Sequence, residues 1–126
     1  MTHELLQAAD ALQPHTVALR RQLHRRPELG LHTPHTRAAV LAALDGLPLD
    51  ITLHETTSGI AALLTGARPG PTVLLRGDMD ALPLLEDTGE SCTSQIDGAM
   101  HACGHDGHTA MLAGAARLLA DRRSEL

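Results

Sequence analysis

A chain of 126 residues with 43% hydrophobic content is the size of one domain and has enough apolar side chains for a core. Phe, Tyr and Trp are all absent, so Leu, Ala, Val, Ile and Met must fill that core and no aromatic platform is present for stacking nucleobases. A formal net charge of -5 argues further against nucleic acid as a partner.

The N-terminus shows no basic region followed by an apolar run, and no stretch is apolar enough to cross a bilayer, so neither a signal peptide nor a membrane partner is expected. Two cysteines, Cys92 and Cys103, are a poor basis for a disulfide framework, and a reducing cytoplasm is the expected compartment.

Residues 4–26 carry a helical pattern, with Leu5, Leu6, Ala9 and Leu12 on one face, then Val17, Leu19 and Leu23. Pro14 is expected to bend or restart this helix and Pro27 to end it. A second helix is signposted by Thr33 as cap and Pro34 at the first helical position; it continues through Ala38 to Leu44, and Gly46 stops it. From Asp50 the period changes: Ile51, Leu53 and Glu55 share one face of a predicted strand, and Ile60 to Leu64 form a second short apolar run. After a strong turn at Arg68-Pro-Gly-Pro71, the β-prone run Thr72 to Arg76 suits a strand covered on both faces. Residues 81–99 read as an irregular loop, and Thr109 to Arg123 as a closing helix with Met111, Leu112, Ala115 and Leu119 on its apolar side. This order predicts an α/β fold with a mixed β-sheet flanked by helices, incomplete and with at least one open sheet edge.

Most of the chemistry sits in Met100-His-Ala-Cys-Gly-His-Asp-Gly-His108. Cys103, His101, His105 and His108 offer soft and borderline ligands for zinc-like ions, Asp106 adds a carboxylate, and Gly104 and Gly107 allow tight turns. Singly, a Cys is more often a small buried hydrophobe, but this density favours a metal. Cys103 and His105, one residue apart, are the best candidate metal pair. His101, His108 and Asp106 are left as further ligands or orienting groups. A closed structural zinc site fits less well, because Cys-x-x-Cys pairs are missing.

Asp78 and Asp80, two apart at the end of the predicted buried strand, would share a face there. They could bind a metal, orient a metal-bound histidine or move a proton, and the bland alternative is a solvated turn. His24 reads as a solvated helix-end cation, and Cys92 as an incidental loop residue.

Three segments, Arg20-Arg-Gln-Leu-His-Arg-Arg-Pro-Glu-Leu-Gly30, Val73-Leu-Leu-Arg-Gly-Asp-Met-Asp-Ala-Leu-Pro83 and Met100-His-Ala-Cys-Gly-His-Asp-Gly-His-Thr109, together resemble the N-terminal part of the metal-dependent amidohydrolases typified by hippurate hydrolase. That group includes N-acyl-L-amino-acid amidohydrolases, N-acetyl-diaminopimelate deacetylases and plant auxin-conjugate hydrolases. The resemblance implies a metallopeptidase-like catalytic domain holding two divalent ions (zinc, manganese, cobalt or nickel), a small N-acyl amino acid substrate and a homodimer formed through a second domain. It assigns Cys103 as a bridging thiolate, His105 as a ligand and Asp80 as the catalytic residue that orients or polarises a ligand. Asp78 stands where more distant relatives use a histidine ligand. The family's Glu-Glu pair, which supplies the general base, has no counterpart here. Residues 1–126 are therefore expected to be the N-terminal part of the catalytic domain and inactive alone. A non-catalytic metal-binding module, a degenerate truncated paralogue and a thiol redox role for Cys103 are the rival readings.

Overall fold

The structure, a computed structural model, describes residues 2–126. In chain order it contains α1 (Thr2–Arg25), α2 (Pro34–Leu44), β1 (Asp50–Leu53), β2 (Ile60–Leu63), α3 (His105–Ala120) and a closing 3-10 turn at Arg123–Glu125. The chain is α/β. Its sheet is a two-stranded antiparallel hairpin in the register Asp50↔Leu63 to Leu53↔Ile60. Among the described residues, parallel pairing is confined to an isolated bridge between Leu29 and Ala81, and a second, antiparallel bridge joins Leu82 to Met100.

Several sequence expectations are corrected. α1 runs without a break through Pro14. β1 ends at Leu53, before Glu55, because the His54 amide already donates to Gly59 O at 2.9 Å to close the hairpin. The β-prone run Thr72–Arg76 pairs with no strand, and Val73 and Leu74 are 78% and 87% exposed. β-propensity describes a side chain that suits a pleated surface; without a neighbour to supply the ladder, no strand forms. α3 starts at His105, four residues before the expected Thr109. Gly104, with φ of 86°, turns the backbone through the left-handed region that glycine adopts freely. His105, Asp106 and His108 thus lie in the first turn of a helix and not in a loop.

The core sits where the three helices meet the hairpin. Val40 and Leu44 of α2 and Ala113 of α3 are buried, with Leu19, Ile60 and Met79 packed around them. With no aromatic side chains to fill space, the helices approach through small residues. A Cβ on Gly114 would lie 3.3 Å from Thr16 Oγ1, so α1 and α3 are in close contact there.

α2 is capped from outside. Thr33 occupies the N-cap position but makes no side-chain cap bond. The Glu28 carboxylate instead accepts from the amides of His35 (3.1 Å) and Thr36 (2.7 Å) and from the Thr36 hydroxyl (2.9 Å). A carboxylate there satisfies orphan amides and meets the positive end of the helix dipole. Glu28→Ala should lower unfolding free energy by about 1–2 kcal/mol in urea titration, while Thr33→Ala should cost less than Glu28→Ala.

Candidate metal centre

Two pieces of backbone build the centre: residues 77–80 and the first turn of α3. They are in direct contact. The Thr109 hydroxyl donates to Asp78 O at 2.6 Å, and a Cβ on Gly77 would meet His108 O and Leu112 Cδ2 at 3.2 Å. Glycine at position 77 lets the strand-like segment lie against the helix, which brings Asp78 and Asp80 to the histidines.

One ligand atom each from Asp78, His105 and His108 lies within 4.8 Å of the others, the one such group of three or more among the described residues. The His105 and His108 rings stack with centroids 5.5 Å apart, as positions three apart on a helix allow. Behind His105 stands Asp80. His105 Nδ1 is 2.9 Å from both Asp80 O and Asp80 Oδ1, an arrangement in which Nδ1 donates. The Nε2 lone pair is then free, the orientation a metal-binding histidine needs. His108 Nδ1 lies 3.5 Å from Asp78 Oδ1, and Arg76 Nη2 donates to Asp78 Oδ2 at 2.8 Å. Burial acts to raise the Asp78 carboxyl, but Arg76, His105 and the hydrogen bond from His108 together outweigh it and hold the group below the usual carboxylate range. One ionised carboxylate and two imidazoles in reach of one point fit a divalent ion such as zinc, whose catalytic sites keep three protein ligands and an open position.

The other candidates lie elsewhere. Cys103 is exposed, immediately before Gly104, and its sulfur joins no such group. His101 is buried with neither ring nitrogen hydrogen-bonded. Burial pushes its pKa down from the ordinary 6.5, outweighing the pull of the Asp106 carboxylate. Asp106 faces α1: its Oδ2 accepts from Arg20 Nε (2.9 Å) and lies 2.7 Å from His24 Nδ1, while Oδ1 accepts from the Gly107 amide at 2.9 Å.

One reading of a single residue is corrected. His24 is a buried residue, 4% exposed, and not a solvated cation. Its Nε2 lies 3.0 Å from Glu86 Oε1, opposite the contact to Asp106. Cys92 is buried as well, with Arg20 Nη1 3.7 Å from its sulfur. Glu86 carried no signal in the sequence, because the residues that bury it are remote in the chain.

A carboxylate and two imidazoles gathered at a helix start are a donor set that a divalent ion would fit. Comparison with known proteins agrees. Residues 74–126 match the profile of Peptidase family M20/M25/M40. The chain is 38% identical over 120 residues to N-acetylcysteine deacetylase of Bacillus subtilis, covering 94% of this chain and 32% of that protein. It is 37% identical over 123 residues to the N-acyl-L-amino acid amidohydrolase of Geobacillus stearothermophilus, covering 98% and 33%. The crystal structure of Bacillus subtilis YxeP, described as a dinuclear metal-binding peptidase of the M20 family, superposes with a TM-score of 0.87 at 38% identity, over 93% of this chain and 33% of that one. The chain thus resembles the N-terminal part of M20 amidohydrolases and spans about a third of their length.

Burial acts to raise Glu86, but hydrogen bonds from Thr88, His24 and the Ser94 amide outweigh it and lower the group from 4.5 to about 2. A depressed carboxyl contributes stability that is complete above the unfolded value and lost as pH falls through the folded one. The gap in unfolding free energy between wild type and Glu86→Gln should therefore be constant above about pH 4.5 and close as pH approaches about 2. Denaturant titrations at a series of acid pH values read this directly.

Proposed function

We propose that residues 1–126 form the N-terminal part of the catalytic domain of a metal-dependent amidohydrolase, which cleaves the amide bond of N-acyl amino acids or similar small conjugates. The observation that carries this reading is the convergence of Asp78, His105 and His108 with Asp80 bound behind His105. The deacetylase and amidohydrolase names of the relatives supply the substrate class.

In this reading Asp78, His105 and His108 hold a divalent ion, and Cys103, as a thiolate two residues before His105, takes part in a dinuclear centre. Zinc, manganese, cobalt and nickel all suit such a mixed set of ligands. Divalent ions supply a water of lowered pKa and a polarised scissile carbonyl. The chain's own residues prepare the site. Asp80 accepts from His105 Nδ1, which fixes the ring and makes Nε2 a stronger ligand. Arg76 and the imidazoles keep Asp78 ionised, so that its oxygens act only as acceptors. Gly77 and Thr109 hold the carboxylate segment against the helix. The proton-accepting glutamate belongs to the wider site, beyond the part these residues cover. Two free cysteines accord with a cytoplasmic protein, and a homodimer is the assembly we propose for the whole enzyme.

Calorimetric titration with zinc, manganese and cobalt tests the reading. Saturable binding is expected, abolished in His105→Ala and weakened about 10–100-fold in Asp80→Asn. Weaker binding in Cys103→Ala would bring the thiolate into the centre, and unchanged binding would remove it. The 126-residue chain should hydrolyse N-acetyl amino acids slowly or not at all. Absence of any divalent-ion binding would overturn the proposal.

A further inference from the structure

Beyond the ligand cluster, the most unusual feature is a buried imidazole held between two buried carboxylates. His24 Nδ1 lies 2.7 Å from Asp106 Oδ2 and Nε2 lies 3.0 Å from Glu86 Oε1, with the His24 side chain 5% exposed and each carboxylate side chain 1% exposed. A neutral imidazole has one N–H and one lone pair, so it would satisfy one carboxylate and turn a lone pair on the other. With a proton on each nitrogen, both contacts become charge-assisted hydrogen bonds.

We propose that His24 is an imidazolium and the positioning residue of the ligand cluster, fixing Asp106 and, through it, the rotation of the first turn of α3. Two carboxylates from separate elements face His24 and favour this charge. From α3 comes Asp106 and from the 86–94 loop comes Glu86. Arg20, from α1 itself, pairs with Asp106, whereas the partner that Glu86 meets from α1 is His24. His101, whose ring centroid is 6.4 Å away, is buried with neither ring nitrogen hydrogen-bonded, so it pairs with neither carboxylate. Removing the charge on His24 would leave Glu86 buried without a cation, a strongly unfavourable state.

The consequence for the cluster follows from helix geometry. Asp106 lies between His105 and His108 in sequence but about 100° around the helix from His105, and it binds α1 while they face residues 78–80. Holding Asp106 fixes the angular setting of the turn. The charge on His24 is independent of what the cluster binds; the positioning role rests on its reading as a metal site, yet can be read without metal.

The experiment is nitrogen-15 NMR of the histidine rings in the 126-residue chain at neutral pH, free of metal. Both His24 ring nitrogens should be protonated, and His105 should be the single Nδ1–H tautomer that its contact to Asp80 requires. In His24→Gln, a neutral side chain that cannot bridge two carboxylates as a cation, the single His105 tautomer should be lost. In Glu86→Gln, a neutral fraction of His24 should appear while His105 stays unchanged, because the Asp106 contact remains. A neutral His24 in the wild type overturns the proposed charge. An unchanged His105 signature in folded His24→Gln overturns the positioning role. Should His24→Gln not fold, the wild type and Glu86→Gln still decide: a His24 ring indifferent to residue 86 sinks the bridge, and a His105 tautomer lost in Glu86→Gln sinks its transmission through Asp106. Failure of metal titration with these NMR results intact would remove the enzyme reading alone.

Discussion

The carboxylate of Asp106 joins the first helix to the last. Only 1% of it is exposed, and a charge so buried must be compensated by its surroundings. Arg20, His24 and the Gly107 amide do this together. Gly114 of α3 lies against Thr16 of α1, and Ala110 and Ala113 of α3 are buried; such small residues pack closely but are individually undemanding about register. Directional hydrogen bonds to one carboxylate are much less tolerant. The polar clamp therefore sets how α3 is seated, and the apolar core supplies the burial that makes the seating stable.

The same turn serves two purposes because a helix separates neighbouring residues by about 100°. His105 and His108, three apart, stack on one face toward Asp78, while Asp106 turns to α1. Gly104 makes this arrangement possible by letting the helix begin at His105. A helix starting at Thr109 would leave all three side chains on a loop, with no fixed angle between the structural carboxylate and the two imidazoles.

What the sequence revealed divides along the range of the interactions. The helices were legible because their determinants are local: periodic leucines in α1, and Pro34 at the start and Gly46 beyond the end of α2. The density of ligand-type side chains at residues 100–108 is plain in the sequence. Which of them the fold brings together is not. Close spacing favoured Cys103 with His105, whereas helical geometry gathers His105 with His108 and brings in Asp78 from a separate segment. His24 was misread for a related reason. Its partners stand 62 and 82 positions away, and nothing in a basic stretch beside a helix end signals that two buried carboxylates will meet it.

The exposed run ahead of Gly77 bears on how the carboxylates are held. In a sheet, a strand end is positioned by ladders on its flanks. Here Val73 and Leu74 have no such flanks and are largely in solvent, yet Asp78 and Asp80 lie a few residues on with defined partners. Their placement must come from the other direction. The Thr109 hydroxyl on Asp78 O, the Gly77 backbone against His108, and Asp80 on His105 all fasten this segment to α3. Beyond Asp80, Ala81 is tied to Glu28 O and Leu82 to Met100. α3 is thus the scaffold for both sides of the candidate cluster, supplying two imidazoles itself and anchoring the carboxylates that face them. Since α3 is held in turn through Asp106, the geometry of the cluster is tied to Arg20 and His24 of α1, which contact none of its members.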